Sequence, residues 1–184
     1  DQIKLLLEKS FASHMILSGK KKGKKARKRF GTDLELLWID FLEHMDFLID
    51  EKFVTKQGTL TQDGIWASKL RIDAPLLVAQ GIRKDLLPQN DPALLACIIA
   101  SFVNEKEFND DPLYSQALPK KLKDVFLDAR QGLKPFAIKL LGKGFNAPNL
   151  FVQPCLLIYQ WAHDEAWEDI ITGSDFAEGD LARL

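Results

Sequence analysis

A mainly α-helical bundle is the fold class this sequence predicts, and three observations predict it. Apolar residues recur at helical spacing, most clearly Leu34, Leu37, Trp38, Phe41, Leu42, Met45, Leu48 and Ile49. Helix-start signals stand before such stretches, Thr32-Asp33-Leu34-Glu35 with capping-box spacing and Asp91-Pro92 with a capping oxygen ahead of proline. A strand signal occurs in one place, where Phe53-Val54-Thr55 and Thr59-Leu60-Thr61 flank Lys56-Gln57-Gly58. There the pattern predicts a small β-hairpin, a winged-helix-like element in an otherwise helical chain.

Taken in order, residues 2–16 read as a helix, followed by a basic run between Gly19 and Gly31 that has little to bury and reads as a mobile loop. The next helix is expected to start at Thr32. After the hairpin signal comes a short helix, about Gly64 to Arg71. Asp73 can cap a helix carrying Leu76, Leu77 and Ile82. Asp91-Pro92 opens a helix, Ala93 to Val103, that is apolar on nearly all sides and so reads as the buried centre of the bundle. Pro119 opens a long helix with Leu122, Val125, Phe126, Ala129, Leu133, Phe136, Ala137, Leu140 and Leu141 inward, bent by Gly132 and Pro135 and ended at Gly142-Lys143-Gly144. Helices at about Leu150–Trp161 and Glu165–Thr172 follow, and Asp175-Phe176-Ala177-Glu178 signals a last one. No period of 20–50 residues repeats, which excludes a solenoid. Residues 1–31 are expected to form an N-terminal helix and basic loop, and residues 32–184 the helical bundle.

At 184 residues, 46% apolar and 28% charged, the chain is long enough for a sizeable core and is not of disordered composition. Cys97 and Cys155 sit in apolar runs and read as small core hydrophobes. No signal peptide and no membrane-length apolar run is present, so a cytoplasmic location without membrane contact is expected. Both ends read as cut. The chain begins without Met inside an amphipathic pattern (Ile3, Leu6, Leu7, Phe11) and stops at Leu184 within a helix just begun.

The net charge of −1 conceals an asymmetry. Lys20, Lys21, Lys22, Lys24, Lys25, Arg27, Lys28 and Arg29 form a run with no acid in it. Without those eight, 17 of the 25 basic residues face 26 acidic ones, a balance of −9. Such a strip on an acidic body suits phosphate contact; a solvated loop and a localisation signal are the blander readings.

Catalytic machinery is not evident. No Gly-x4-Gly-Lys-Ser/Thr loop exists, and Gly142-Lys143-Gly144 reads as helix termination. His14, His44 and His163 lack metal-ligand spacing with each other or with the cysteines. Asp164-Glu165-Ala166-Trp167 imitates the Mg²⁺-binding box of helicases, but that box works on a buried strand beside a nucleotide-binding loop. Here the string reads as a helix-end cluster, with Trp161, Glu165 and Glu168 at helical spacing.

The most specific pattern lies in the last third: Trp161-Ala162, Ala166-Trp167, Ile170, then Ser174-Asp175-Phe176-Ala177-Glu178-Gly179-Asp180-Leu181-Ala182-Arg183. It resembles the closing signature of the DSHCT domain, the C-terminal helical domain of superkiller-type and exosome-associated DExH RNA helicases: Trp-Ala, a helix, then Thr-Asp-x-x-Glu-Gly-Asp-x-x-Arg. Ser174 replaces the usual Thr and keeps a hydroxyl. Upstream, Thr61-Gln62-Asp63-Gly64-Ile65-Trp66-Ala67 resembles the family's Thr-x-x-Gly-Arg-x-Ala, with Ile65 where Arg is common. Leu76-Leu77, Pro92, Leu95-Ala96 and Phe102-Val103-Asn104-Glu105 resemble its paired central helices. Glu8-Lys9-Ser10-Phe11 resembles the segment that leaves the second RecA-like domain, and only the basic run stands where eukaryotic relatives insert an arch, as in an archless, prokaryote-like member.

The resemblance implies an accessory domain that packs on the RecA-like domains of the same polypeptide and guides single-stranded RNA. ATP and Mg²⁺ would belong to the motor domains of the parent helicase; the chain itself would need no cofactor or metal and would have no catalytic residue. Glu105, at the end of the buried helix, reads either as an ordinary surface charge or, as the resemblance implies, as an acid that faces the RNA path and accepts from a base edge. Arg183 either reaches RNA or pairs with Glu178 or Asp180. Trp161 and Trp167 suit core packing better than base stacking. The competing class is a helical protein-interaction scaffold that binds no nucleic acid.

Overall fold

A computed structural model describes residues 2, 5, 6, 9, 24–103, 118–174 and 176–182, with the side chains of the first helix described from Leu37 onward. Its helices are α1 (Lys24–Asp50), α2 (Gln62–Ala67), α3 (Pro75–Arg83), α4 (Pro92–Val103), α5 (Lys120–Gly142), α6 (Val152–Ala162), α7 (Trp167–Thr172) and α8 (Glu178–Leu181). Among the described residues no strand forms, so the mainly helical class holds and the hairpin does not. The chain divides into two compact units, Asp1–Gly64 and Ile65–Leu184.

The first unit is dominated by α1, a single helix of 27 residues. It begins at Lys24 and passes through Thr32, so the basic segment from Lys24 onward is helical and the expected helix start at Thr32 is interior. Lys, Arg and Ala are good helix formers, and one interior glycine, Gly31, costs only about 1 kcal/mol against a helix extended cooperatively from the apolar stripe behind it. Of the expected N-terminal helix, Gln2, Leu5 and Leu6 are helical and the Lys9 N–H donates to the carbonyls of Leu5 and Leu6 at 3.2 Å. The rest of that helix lies outside the described residues.

Where α1 ends, the chain turns back on itself. Lys52 takes a left-handed conformation (φ 62°), its N–H donates to Ile49 O at 3.0 Å, and the Phe53 N–H donates to Leu48 O at 2.8 Å. These are the two bonds of a Schellman stop. The stop buries Phe53, which with Phe47 and Val54 forms the core of this unit.

The expected hairpin is reduced to one antiparallel bridge, Val54 with Leu60. Its flanking bonds are Thr55 N–H to Thr59 O at 2.7 Å and Thr61 N–H to Phe53 O at 3.0 Å. The ladder cannot lengthen, because Lys52 is left-handed on one side and Thr61 already caps α2 on the other. The Thr61 hydroxyl oxygen accepts from Gly64 N–H at 3.1 Å and lies 2.8 Å from Lys52 O.

The second unit is built round two helix pairs, α4 with α6 and α3 with α5. α4 buries Leu94, Cys97, Ile98, Ala100, Ser101 and Phe102, as its all-round apolar sequence predicts. Asp91 caps it, accepting from Leu94 N–H at 3.1 Å, and pairs with Lys121 at 2.8 Å. α3 starts without a side-chain cap: Ala74 rather than Asp73 is the boundary residue, and Pro75 supplies the preset φ. α5 runs unbroken through Gly132 and Pro135, with Leu122, Phe126, Ala129, Leu133, Phe136 and Leu140 buried. Leu141, expected inside, is 58% exposed. α8 is a single turn entered from Ala177 with no side-chain cap bond. Its Leu181 joins Leu157, Ile170 and Phe176 in a small core.

Two stability predictions follow from these contacts. A Cβ at position 64 would run into the backbone carbonyl of Phe53, so Gly64→Ala is expected to cost about 1–3 kcal/mol of overpacking, read as a lower midpoint in urea. The Asp91 carboxyl is held below its ordinary value of 3.8 chiefly by the hydrogen bond from Lys121, then by the Leu94 N–H. A depressed acid stabilises the fold above its unfolded pKa. That contribution is therefore complete above 3.8 and is lost as pH falls through the lower folded value. Asp91→Asn should flatten this part of a thermal-stability-versus-pH curve, whereas an unchanged acid limb would remove Asp91 from its origin.

Candidate nucleic-acid interface

The residues expected to meet RNA fall in different parts of the chain. Lys24, Lys25, Arg27, Lys28 and Arg29 occupy the opening turns of α1. At about 1.5 Å per residue these positions rise over roughly 8 Å of helix. The first turn holds no acid. Lys20, Lys21, Lys22, Glu105 and Arg183 lie outside the described residues.

The acid string near the C-terminus has a structural occupation. α6 ends in a Schellman stop: Asp164 is left-handed (φ 62°), its N–H donates to Trp161 O at 3.1 Å, and the Glu165 N–H donates to Gln160 O at 3.1 Å. The Glu165 carboxylate also accepts from Gln160 Nε2 at 2.8 Å. Asp164 and Glu165 are exposed on a turn between helices, and no strand occurs among the described residues. The turn breaks the helical spacing assumed for Trp161, Glu165 and Glu168.

Trp161 is 59% exposed, contrary to the core role expected of it. It sits in the last turn of α6, where the chain leaves the bundle. Trp167 is half-buried and packs against the small core of Leu157, Ile170, Phe176 and Leu181. Beside the stop, His163 stacks on Tyr159 with ring centroids 3.9 Å apart, and its Nδ1 lies 2.8 Å from Tyr159 O. That contact ties His163 to the last turn of α6. Among the described residues no group of His, Cys, Asp or Glu could hold a metal ion, and no helix is long and apolar enough to cross a membrane. Of the closing signature, Ser174 bends the chain: its hydroxyl donates to Ile171 O at 3.2 Å and its oxygen accepts from Phe176 N–H at 3.3 Å.

Where α4 meets α6 the buried residues are small and weakly polar. Cys97, Ser101 and Cys155 are each fully buried, and the Ser101 hydroxyl donates to Ile98 O at 2.7 Å. Burial raises the Cys97 thiol to about 11. Burial, and then the neighbouring Cys97, push Cys155 up as well, with the Ser101 side chain acting the other way.

One charged feature escaped the sequence reading. A cavity of about 270 Å³ between α3, α5 and the segment after α5 is lined by Leu77, Arg130, Leu133, Lys134, Pro148 and Asn149, with Ala137 and Leu150. Its signal was present: residues 120–143 hold seven basic residues against two acids, Asp124 and Asp128, a balance of +5. That signal is spread along residues 120–143, where the inward stripe of α5 dominates the pattern, whereas the run at 20–29 is dense.

The fold defines a mainly α-helical protein. The family description DSHCT (NUC185) domain matches residues 57–184. The chain belongs to the DSHCT family, the C-terminal domain of superkiller-type helicases. No curated protein matches the chain.

The buried thiols generate a prediction. A raised thiol pKa keeps the neutral form in the fold, so its stabilisation is present below 9.0 and is lost as pH rises through about 11 for Cys97. Cys97 and Cys155 should both resist a thiol reagent at neutral pH until the chain is unfolded. Rapid modification of the native chain would show that the α4–α6 contact opens readily.

Proposed function

We propose that this chain is the accessory domain of an ATP-dependent DExH RNA helicase, packing on the RecA-like motor and guiding single-stranded RNA in the cytoplasm. The match to the DSHCT family over residues 57–184 carries the reading. ATP and Mg²⁺ are the business of the motor, and the chain contributes surface and charge. The basic run contributes the phosphate contacts, with five of its eight cations on the opening turns of α1. Glu105 is assigned to a base edge, and Arg183 to the strand or to its acidic neighbours.

Salt dependence tests the assignment. Each phosphate neutralised releases counterions, so four contacts give a log–log slope of roughly −3 for single strands, with a dissociation constant near ~10⁻⁴–10⁻⁶ M at physiological salt. The eight cations should be replaced by Gln, which preserves helix propensity in α1 better than Gly or Ser would. The Gln variant should flatten the slope and keep its helical circular dichroism. Glu105→Ala should leave the slope alone and alter base preference. Salt-independent binding by the unaltered chain would refute phosphate contact through this strip.

A further inference from the structure

We propose that the cavity beside α5 is a nucleotide pocket, a second single-strand contact in which one unstacked base enters over an apolar floor while Arg130 and Lys134 take its phosphates. The inference rests on the RNA reading above but uses none of the basic run.

The geometry of α5 supports it. Arg130 and Lys134 are one turn apart on the same face, so their Cβ atoms are about 5–6 Å from each other. Both side chains are exposed and both line the cavity. With 3.6 residues per turn, positions 120, 123, 127, 130, 134 and 141 fall within roughly 80° of one another. Those positions are Lys120, Lys123, Leu127, Arg130, Lys134 and Leu141, and Leu127 and Leu141 are 37% and 58% exposed. A basic stripe interleaved with apolar surface therefore runs past the mouth of the cavity. From Lys123 to Lys134 it rises about 16 Å, room for several nucleotides of a single strand.

Inside, Leu77, Leu133 and Leu150 are buried side chains presenting carbon to the cavity. Pro148 and Asn149, from the segment after α5, also line it. The volume, about 270 Å³, is below that of a drug-sized site and suits a single planar ring. The Asn149 amide has the donor and acceptor that pair two positions on an adenine edge. Charge separates this site from its neighbour. On the other flank of α5 a groove of about 570 Å³ carries Asp85 and Asp128 and no cation in its lining. A polyanion is therefore drawn to one side of the helix and repelled from the other.

The test compares a short single-stranded oligoadenylate, an abasic phosphodiester strand of the same length, and polyglutamate, each titrated against the intact chain at several salt concentrations. The base should make oligoadenylate bind about five-fold tighter or more than the abasic strand, and Asn149→Ala should shrink that ratio without changing the slope. Arg130→Gln with Lys134→Gln should lower the slope by about 1.4, two single-strand phosphate contacts. Lys134→Gln alone should lower it by half that, which guards against misfolding of the double variant. Methyl resonances of Leu77, Leu133 and Leu150 should shift with oligoadenylate and stay put with the abasic strand. Equal affinity for all three probes, or a slope indifferent to both α5 variants, overturns the pocket. If the Gln variant of the basic run loses all binding, the pocket falls and the RNA reading stands. If the unaltered chain binds no strand, both fall.

Discussion

The second unit depends on a single constraint: α4 carries no charged side chain, and more than half of its surface must be kept from water. Its buried residues, Leu94, Cys97, Ile98, Ala100, Ser101 and Phe102, cover rather more than half of its circumference, while Pro92 and Ala96 on the remainder are exposed. Each large side chain left exposed would forfeit about 1.5–3 kcal/mol, so the other elements of this unit must enclose it. The partner that answers most directly is α6, which buries Val152, Pro154, Cys155 and Leu157. Cys97 and Ser101 of α4 lie beside Cys155 of α6, all small residues that let two helices approach closely. Ser101 satisfies its hydroxyl on its own helix, at Ile98 O. The contact therefore needs no polar partner from outside, and the thiols beside it stay neutral for want of water.

Enclosing a central helix requires the chain to reverse often, and it does so by one device. α1, α3, α5 and α6 all end with a left-handed residue two positions past the last helical one: Lys52, Asp85, Gly144 and Asp164. In each case the next amide reaches back to the helix: Phe53 to Leu48, Leu86 to Gly81, Phe145 to Leu140, Glu165 to Gln160, at 2.8–3.1 Å. The stops also deliver apolar side chains. Phe53 is placed in the core of the first unit, and Leu86 is set against Gly132 of α5, where a Cβ would come within 2.6 Å of its methyls. Only one of the four left-handed residues is glycine, so local strain is accepted in return for long-range packing.

This explains what the sequence disclosed and what it withheld. The inward stripe of α5, the cap at Asp91-Pro92 and the burial of α4 were legible, because apolar period and capping chemistry are local signals. The Gly144 stop was legible for the same reason. The stops at Lys52, Asp85 and Asp164 were not, since charged residues in the left-handed region carry no sequence mark, and Asp164-Glu165 consequently imitated a catalytic box. The hairpin failed for a related reason. Alternating residues at 53–61 do favour a strand, but Lys52 and Thr61 belong to helix termini, and two helix ends nine residues apart leave room for one bridge. Trp161 was misjudged because aromatic character signals burial only when the helix continues past it, and α6 ends one residue later.

The charge pattern bears on function more than any single side chain does. The basic run at 20–29 and the balance of +5 across 120–143 stand in a chain whose net charge is −1. An acidic body cannot hold a polyanion by diffuse attraction, since most of its surface repels it. Under the function proposed above, contacts with a strand would be confined to where cations are gathered. That is a different property from tight binding: modest contacts at fixed points let a strand be directed and still move, whereas a uniformly basic surface would bind more strongly and guide less. The Schellman stops matter here too, because Gly144 ends α5 and launches the segment carrying Pro148 and Asn149 back across Arg130 and Lys134. The wall of the pocket is thus set by the same helix termination that shapes the bundle, and the candidate site on α5 follows from the fold rather than being added to it.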